Sequence, residues 1–234
     1  MECYERTFHF QDDDGEKNET ITVIEVLQPS YGLYVWPSAP VLAQYIWYNR
    51  SKIKGRSILE LGSGTSLPGI LAAKCGGHVT LSDSEDYPYC LENCRKSCQT
   101  NGLLDIPVIG ITWGRFNNAL LDLPPVDIIL GSDCFYDSKD FENIIVTVSY
   151  LIKQSRDAEF LCTYQERSSN RMIDVLLLKW GLECETVRLD SFNADNPSLC
   201  ASNLPGNHTI HMFIIRADRR FSDSGNIGSV SAFT

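Results

Sequence analysis

The stretch Ser57-Ile-Leu-Glu60-Leu-Gly62-Ser63-Gly64-Thr-Ser66-Leu67-Pro68-Gly69 decides the fold. An apolar run passes into a glycine-rich turn and then, at Ile70-Leu-Ala-Ala-Lys74, into a helical run. Pro68 suits the first turn of that helix, where its missing N–H costs nothing. Strand, glycine loop and helix in this order form the usual junction for a nucleotide-like ligand. A phosphate loop of the Gly-x4-Gly-Lys-Ser/Thr type has its spacing at Gly64 to Gly69. Ile70 and Leu71, however, stand where its Lys and Ser/Thr must be. The dinucleotide pattern Gly-x-Gly-x-x-Gly needs a glycine at 67 and meets Leu67. Glu60, two residues before Gly62, would repel a pyrophosphate. It suits a ligand that carries positive charge and no phosphate, as S-adenosylmethionine does.

Outward from this loop, strands and helices alternate. Strands are expected at 78–82, 108–112, 126–130 and 159–164, with helices at 87–99, 138–154 and 170–180. Asp83 ends the strand that follows the loop, where an acid can accept both hydroxyls of a ribose. Two last strands, 183–189 and 209–216, are joined by the Pro/Asn/Ser-rich loop 191–206 with no helix, which permits an antiparallel pair. On the N-terminal side, Thr7 to Gln11 and Ile21 to Leu27 flank the acidic turn 12–18 as a hairpin. The aromatic loop Tyr31-Gly-Leu-Tyr-Val-Trp36-Pro37 then leads to a helix whose N-cap would be Ser38. The expected fold is α/β: a Rossmann-like, seven-stranded, mainly parallel sheet with an antiparallel last strand, helices on both faces and an N-terminal β-hairpin addition. Residues 1–30 are expected to form the hairpin extension, 31–216 the main α/β domain, and 217–234 a disordered Ser/Gly-rich tail.

Composition narrows the function classes. With 234 residues, 43% hydrophobic and 21% charged, the chain can bury one sizeable core. Thirty acidic against twenty basic residues leave a net charge of −10, which argues against a nucleic-acid backbone as the main partner. Nine cysteines, an odd number scattered through apolar segments, do not read as a secreted disulfide framework. Neither a signal peptide nor an uncharged membrane span is visible. The expectation is a reduced, intracellular, soluble protein.

Five motifs in order resemble the seven-β-strand methyltransferases, in the methyltransferase-like group of protein lysine and arginine methyltransferases. They are Gly32-x3-Trp36-Pro37, Leu59 to Thr65 with Pro68-Gly69, Leu81-Ser-Asp83, Thr112-Trp113-Gly114, and Ser132-Asp133-Cys-Phe-Tyr136, the last being the group's Asp-x-x-Tyr signature. The resemblance covers about residues 21 to 216. It implies S-adenosyl-L-methionine as cofactor, flanked by Trp36 and Trp113, with Gly62, Ser63 and Gly64 beneath the methionine part. Asp83 would hold the ribose, Ser132 would lie beside the adenosine, and Glu60 joins the cofactor set. Asp133 and Tyr136 become the candidate catalytic pair, facing the acceptor. The implied acceptor is a protein side-chain nitrogen, arginine of a histone or other nuclear protein first. Lysine, a small molecule, or a non-catalytic partnership with chaperones or chromatin factors are the alternatives.

Other patterns carry less. Cys90, Cys94 and Cys98 recur at every fourth position and read as a buried helix face rather than a metal site. His208 and His211, three apart on a strand, point to opposite faces. Gly64-Thr-Ser66-Leu-Pro68 lacks the last glycine of a hydrolase nucleophile elbow. No metal ligand set is expected.

Overall fold

A computed structural model describes residues 2–12, 14–27, 31–155, 157–166, 173–203 and 209–222. Seven strands in the order β5-β4-β3-β6-β7-β9-β8 form the main sheet. β3 (Ser57–Leu61), β4 (His78–Asp83), β5 (Val108–Gly110), β6 (Ile128–Ser132) and β7 (Glu159–Gln165) run parallel. β9 (Ile210–Ala217) is antiparallel to β7 on one side and to β8 (Leu182–Val187) on the other. The mixed sheet expected from the sequence is therefore present.

Alternation along each strand builds two apolar layers. Ile58, Leu81, Leu130, Leu161, Met212 and Ile214 face one side. There they meet α1 (Ser38–Tyr48), α3 (Leu67–Lys74) and α4 (Pro88–Thr100). Leu59, Leu61, Ile129, Phe160, Cys162 and Ile215 face the other side. That layer is covered by α5 (Asn118–Leu121), α6 (Phe141–Gln154) and α7 (Ile173–Trp180). The short α2 (Arg50–Ile53) only extends α1. A strand covered on both faces needs little polar alternation, which is why β3 reads as a nearly unbroken apolar run.

The hairpin is a second sheet: β1 (Cys3–Gln11) and β2 (Asn18–Val26) pair from Cys3↔Val26 to Gln11↔Asn18. Phe8, Phe10, Ile21 and Val23 point inward and join the layer of α1, α3 and α4. Each such side chain contributes on the order of 1.5–3 kcal/mol when fully buried. The free edge of β2 is closed by side chains of α4 and of its C-terminal cap, Asn101. Asn93 Nδ2 donates to Ile24 O (2.9 Å), and Ile24 N donates to Ser97 Oγ (3.1 Å). Thr22 N donates to Asn101 Oδ1 (3.0 Å), and Asn101 Nδ2 donates back to Thr22 O (2.6 Å). Asn93, Ser97 and Asn101 repeat every four residues, so one face of the helix supplies the bonds that a third strand would have made.

Several boundaries differ from the sequence reading. Pro37, not Ser38, is the cap of α1, and Ser38 opens the helix with its hydroxyl buried and unbonded. α6 begins at Phe141 rather than 138, because Asp137 first turns the chain by accepting from the Lys139 and Asp140 N–H groups. Residues 217–222, expected in the tail, continue the fold. β9 runs to Ala217, and α8 (Arg219–Ser222) follows, with Arg220 N and its guanidinium both donating to Asp218. The rest of that tail, 223–234, lies outside the described residues, as do 170–172 of the expected helix and His208.

Candidate active site

The chain leaves β3 for β4 on one side of the sheet and later returns as β6 on the other, so a crevice opens at the carboxyl ends of β3 and β6. The glycine loop forms its floor. Gly62 and Gly64 have φ of +62° and +53°, a region that costs other residues about 1–2 kcal/mol. A Cβ on Gly62 would lie 2.7 Å from Cζ2 of Trp113, and one on Gly64 would lie 3.1 Å from the Gly32 carbonyl oxygen. The loop is thus walled by the Trp113 ring on one side and by the 31–37 segment on the other. Trp36, in that segment, is half-buried.

Ser63 turns its side chain toward β4. It is buried, its hydroxyl donates to Glu60 O (3.3 Å) and accepts from Ser82 N (3.1 Å), and its N–H donates to Ser82 O (2.8 Å). Ser82 Oγ in turn donates to Glu60 O (2.6 Å). Its side chain therefore clamps the loop to β4, leaving the backbone to face the crevice.

Asp83 is fixed by two backbone donors, Gly64 N to Oδ2 (2.9 Å) and Ser84 N to Oδ1 (2.8 Å). Burial pushes its pKa up from 3.8, and these two N–H groups hold the rise down. Each carboxylate oxygen keeps acceptor capacity beyond one bond, which a vicinal diol can fill. Beside it the Ser84 and Thr112 hydroxyls lie 3.0 Å apart.

Glu60 points away from Leu59 and Leu61, beneath α3, and is 1% exposed. A Cβ on Gly69 would fall 2.5 Å from its Oε2, so only glycine lets helix and carboxyl approach this closely. Burial pushes its pKa up to about 8. Ser63 and the Gly69 amide moderate the rise, yet Oε2 has no hydrogen bond of good geometry. Glu60 thus sits buried under the floor, where desolvation favours its uncharged form.

Asp133 caps no helix. It follows β6 with φ +57°, its N–H donates to Thr163 O (2.8 Å), and its Oδ1 accepts from Gln165 N (3.3 Å). The carboxylate is held between the ends of β6 and β7. Tyr136 is 47% exposed, and its ring centroid lies 6.2 Å from that of Trp113. Partial burial first, then Asp140, Cys134, Asp83 and Tyr87, push its hydroxyl up to about 12. Ser132, half-buried at the end of β6, completes the wall. The structure therefore brings Trp113, Tyr136, Gly62, Gly64 and Asp83 to one crevice, with Asp133 and Ser132 at its β6 edge.

The sequence reading missed the supports. Gly114 N donates to Thr147 Oγ1 (2.8 Å), and a Cβ on Gly114 would lie 2.6 Å from Asn143 Oδ1, so α6 sets the turn that carries Trp113. Thr163 Oγ1 donates to Ser38 O (2.8 Å), tying the start of α1 to β7. Only Thr112-Trp113-Gly114 hinted at this shell. The cysteines of α4 are buried as expected, Cys94 Sγ lying 3.3 Å from Gly64 O. A groove lined by Lys17, Trp47, Arg50, Lys54 and Lys74 opens at the opposite ends of β3 and β4, away from these groups. No three metal-ligating side chains cluster among the described residues.

A glycine floor, a fixed carboxylate at the end of the second parallel strand and a seven-stranded sheet with this order define a Rossmann-like fold of the methyltransferase kind. A methyltransferase structure from Agrobacterium tumefaciens shares it with a TM-score of 0.57 at 14% identity, over 85% of this chain and 68% of that one. The family model described as "Lysine methyltransferase" matches residues 15–178, and the chain belongs to that family. It is 53% identical over 218 residues to a Xenopus laevis protein named histone-arginine methyltransferase METTL23, covering 92% of this chain and 93% of that one. It is 31% identical over 151 residues to a Danio rerio protein N-lysine methyltransferase, METTL21A, covering 58% of this chain and 67% of the other.

Proposed function

We propose that this methyltransferase transfers a methyl group from S-adenosylmethionine to a side-chain nitrogen of a protein, arginine of a histone or other nuclear protein first. The observation that carries the reading is the electrostatics of the crevice mouth. Two carboxylates, Asp140 and Asp83, are among the groups that raise the Tyr136 hydroxyl. Such a site attracts a cationic side chain and repels phosphate. The name of the Xenopus laevis relative favours arginine. The description of the family model and the zebrafish relative favour lysine as the second reading. Cytoplasm and nucleus are the compartments this substrate class implies.

When bound, the cofactor supplies a methyl group on a positively charged sulfur. In this reading the Gly62–Gly64 backbone would support its methionine part, Asp83 would accept the ribose hydroxyls, and Trp36, Trp113 and Ser132 would hold the adenosine. Burial favours the uncharged form of Glu60, and a positively charged amino group bound above the loop would favour its carboxylate. Asp133 orients the acceptor and offsets the positive charge that develops on its nitrogen. Tyr136 lends a ring face or hydroxyl to the same cation. Since transfer is in line, alignment and exclusion of water supply most of the acceleration.

The test is to incubate the protein with a cell extract and cofactor labelled in the methyl group. Label in protein that analyses to methylarginine supports the reading, and methyllysine moves it to the second. Label in small molecules, or none with cofactor bound, overturns it.

A further inference from the structure

We infer that the N-terminal hairpin is a positioning element for the cofactor crevice, acting through Glu25. This rests on the crevice being the cofactor site proposed above. Glu25 lies near the end of β2, and its carboxylate makes two bonds. Oε1 accepts from the Val35 N–H (2.8 Å), and Oε2 pairs with Arg6 Nε (2.9 Å) on the neighbouring strand. The Glu25 side chain is 13% exposed and that of Arg6 36%, so the bond to Val35 is the more shielded of the two and the Arg6 pair lies at its rim. Val35 belongs to the segment that walls the glycine loop. Three residues earlier, the Gly32 carbonyl oxygen lies 3.1 Å from where a Gly64 Cβ would be, and one residue later stands Trp36.

The hairpin can act as a fixed post because its own position is determined. The Asn93, Ser97 and Asn101 bonds lock the register of β2 against α4, the helix that follows Asp83. Gly32 packs on that same helix, since a Cβ there would come within 2.8 Å of Cys90 Sγ. One carboxylate therefore joins three parts: the hairpin, the segment that carries Trp36, and, through that segment, the loop beneath the methionine part. Removing it leaves the core layers intact but releases the wall of the crevice. Glu25 touches no reacting atom and is a positioning residue.

The experiment compares the parent, Glu25→Gln, Glu25→Ala and Arg6→Met by calorimetric titration with S-adenosylhomocysteine, with melting temperatures taken without ligand. Exchange of the Val35 amide is followed by mass spectrometry. Glu25→Ala should weaken binding about tenfold and speed exchange at Val35, with KM for the cofactor raised and kcat at saturation within twofold of the parent. Glu25→Gln keeps the acceptor for Val35 N–H and should restore binding to within about threefold, which a merely structural loss would not show. Arg6→Met should fall between them. If Glu25→Ala fails to fold, Arg6→Met and the exchange rate at Val35 decide. Parent-like binding with unprotected Val35 in all variants overturns the inference. A parent that does not bind S-adenosylhomocysteine overturns the cofactor reading instead.

Discussion

Glu60 makes the stability of this protein fall as pH rises through neutrality, and Glu60→Gln should abolish much of that fall. In the folded chain its pKa stands at about 8 against an ordinary 4.5, with burial as the main cause. Between these two values the unfolded chain has released the proton that the folded chain still holds. The unfolded state binds fewer protons, so unfolding becomes easier with increasing pH, at a slope approaching 1.4 kcal/mol per unit for one group. Stability is fully present below pH 4.5, declines through the window, and levels off above the folded pKa. Across the window the loss is a few kcal/mol, a large share of a domain's usual 5–15 kcal/mol. Asp83, also raised by burial, adds in the same direction and is common to both proteins. Urea unfolding without ligand at pH 5.5, 6.5, 7.5 and 8.5 measures the difference, buffer conditions chosen to bracket the shift. The stability of Glu60→Gln relative to the parent should rise by roughly 1 kcal/mol per pH unit over the middle of the range. Parallel curves would show that Glu60 is not held protonated. Titration with S-adenosylhomocysteine near pH 7 should release a proton from the parent, seen as a binding enthalpy that depends on the buffer, and no such release from Glu60→Gln.

Gly62→Ala should both strain the backbone and push against the Trp113 ring 2.7 Å away, lowering the melting temperature by several degrees and cofactor affinity by about tenfold or more; thermal melts and calorimetry check it. Asp83→Ala should raise the dissociation constant for S-adenosylhomocysteine roughly ten- to a hundred-fold. Asp133→Asn should keep most of that affinity while methylation of protein drops about a hundred-fold. If Asp133→Asn methylates as well as the parent, its carboxylate serves only to join β6 to β7 through Gln165. Asn101→Ala removes both bonds to Thr22 and should destabilise by about 1–3 kcal/mol in chemical denaturation, with the largest exchange increase in β2.

The elements that chemistry marks were readable in advance. The strand before Gly62, the acid at 83 and the Asp-x-x-Tyr ending at Tyr136 each need a particular residue type at a particular junction, and each lies there. The direction of Glu60 was not readable. In a strand with both neighbours apolar, both faces are buried, and nothing local tells which layer a carboxyl enters. Ser63 was hidden for a similar reason: a serine between two glycines can bond a ligand or its own strand, and only the pairing of β3 with β4 decides. The bonds from Asn93, Ser97 and Asn101 to β2 were also invisible, since they join positions about seventy to eighty residues apart and appear in the sequence as ordinary polar helix residues.

The place of β9 bears on how the chain is made. This strand is the last among the described residues, yet it lies between β7 and β8 rather than outside them. While the chain emerges from a ribosome, β3 to β7 can pair as they appear, but β7 keeps an open edge until Ile210–Ala217 has left the exit tunnel. Until then β8 has no strand to pair with, for among the described residues its partner is β9 alone. An interrupted chain ending before residue 210 would display the unpaired edge of β7, with Phe160, Cys162 and Tyr164 lacking the cover of Phe213 and Ile215. A nonsense or frameshift change shortly upstream of Ile210 should therefore yield an insoluble product rather than a shortened, working enzyme.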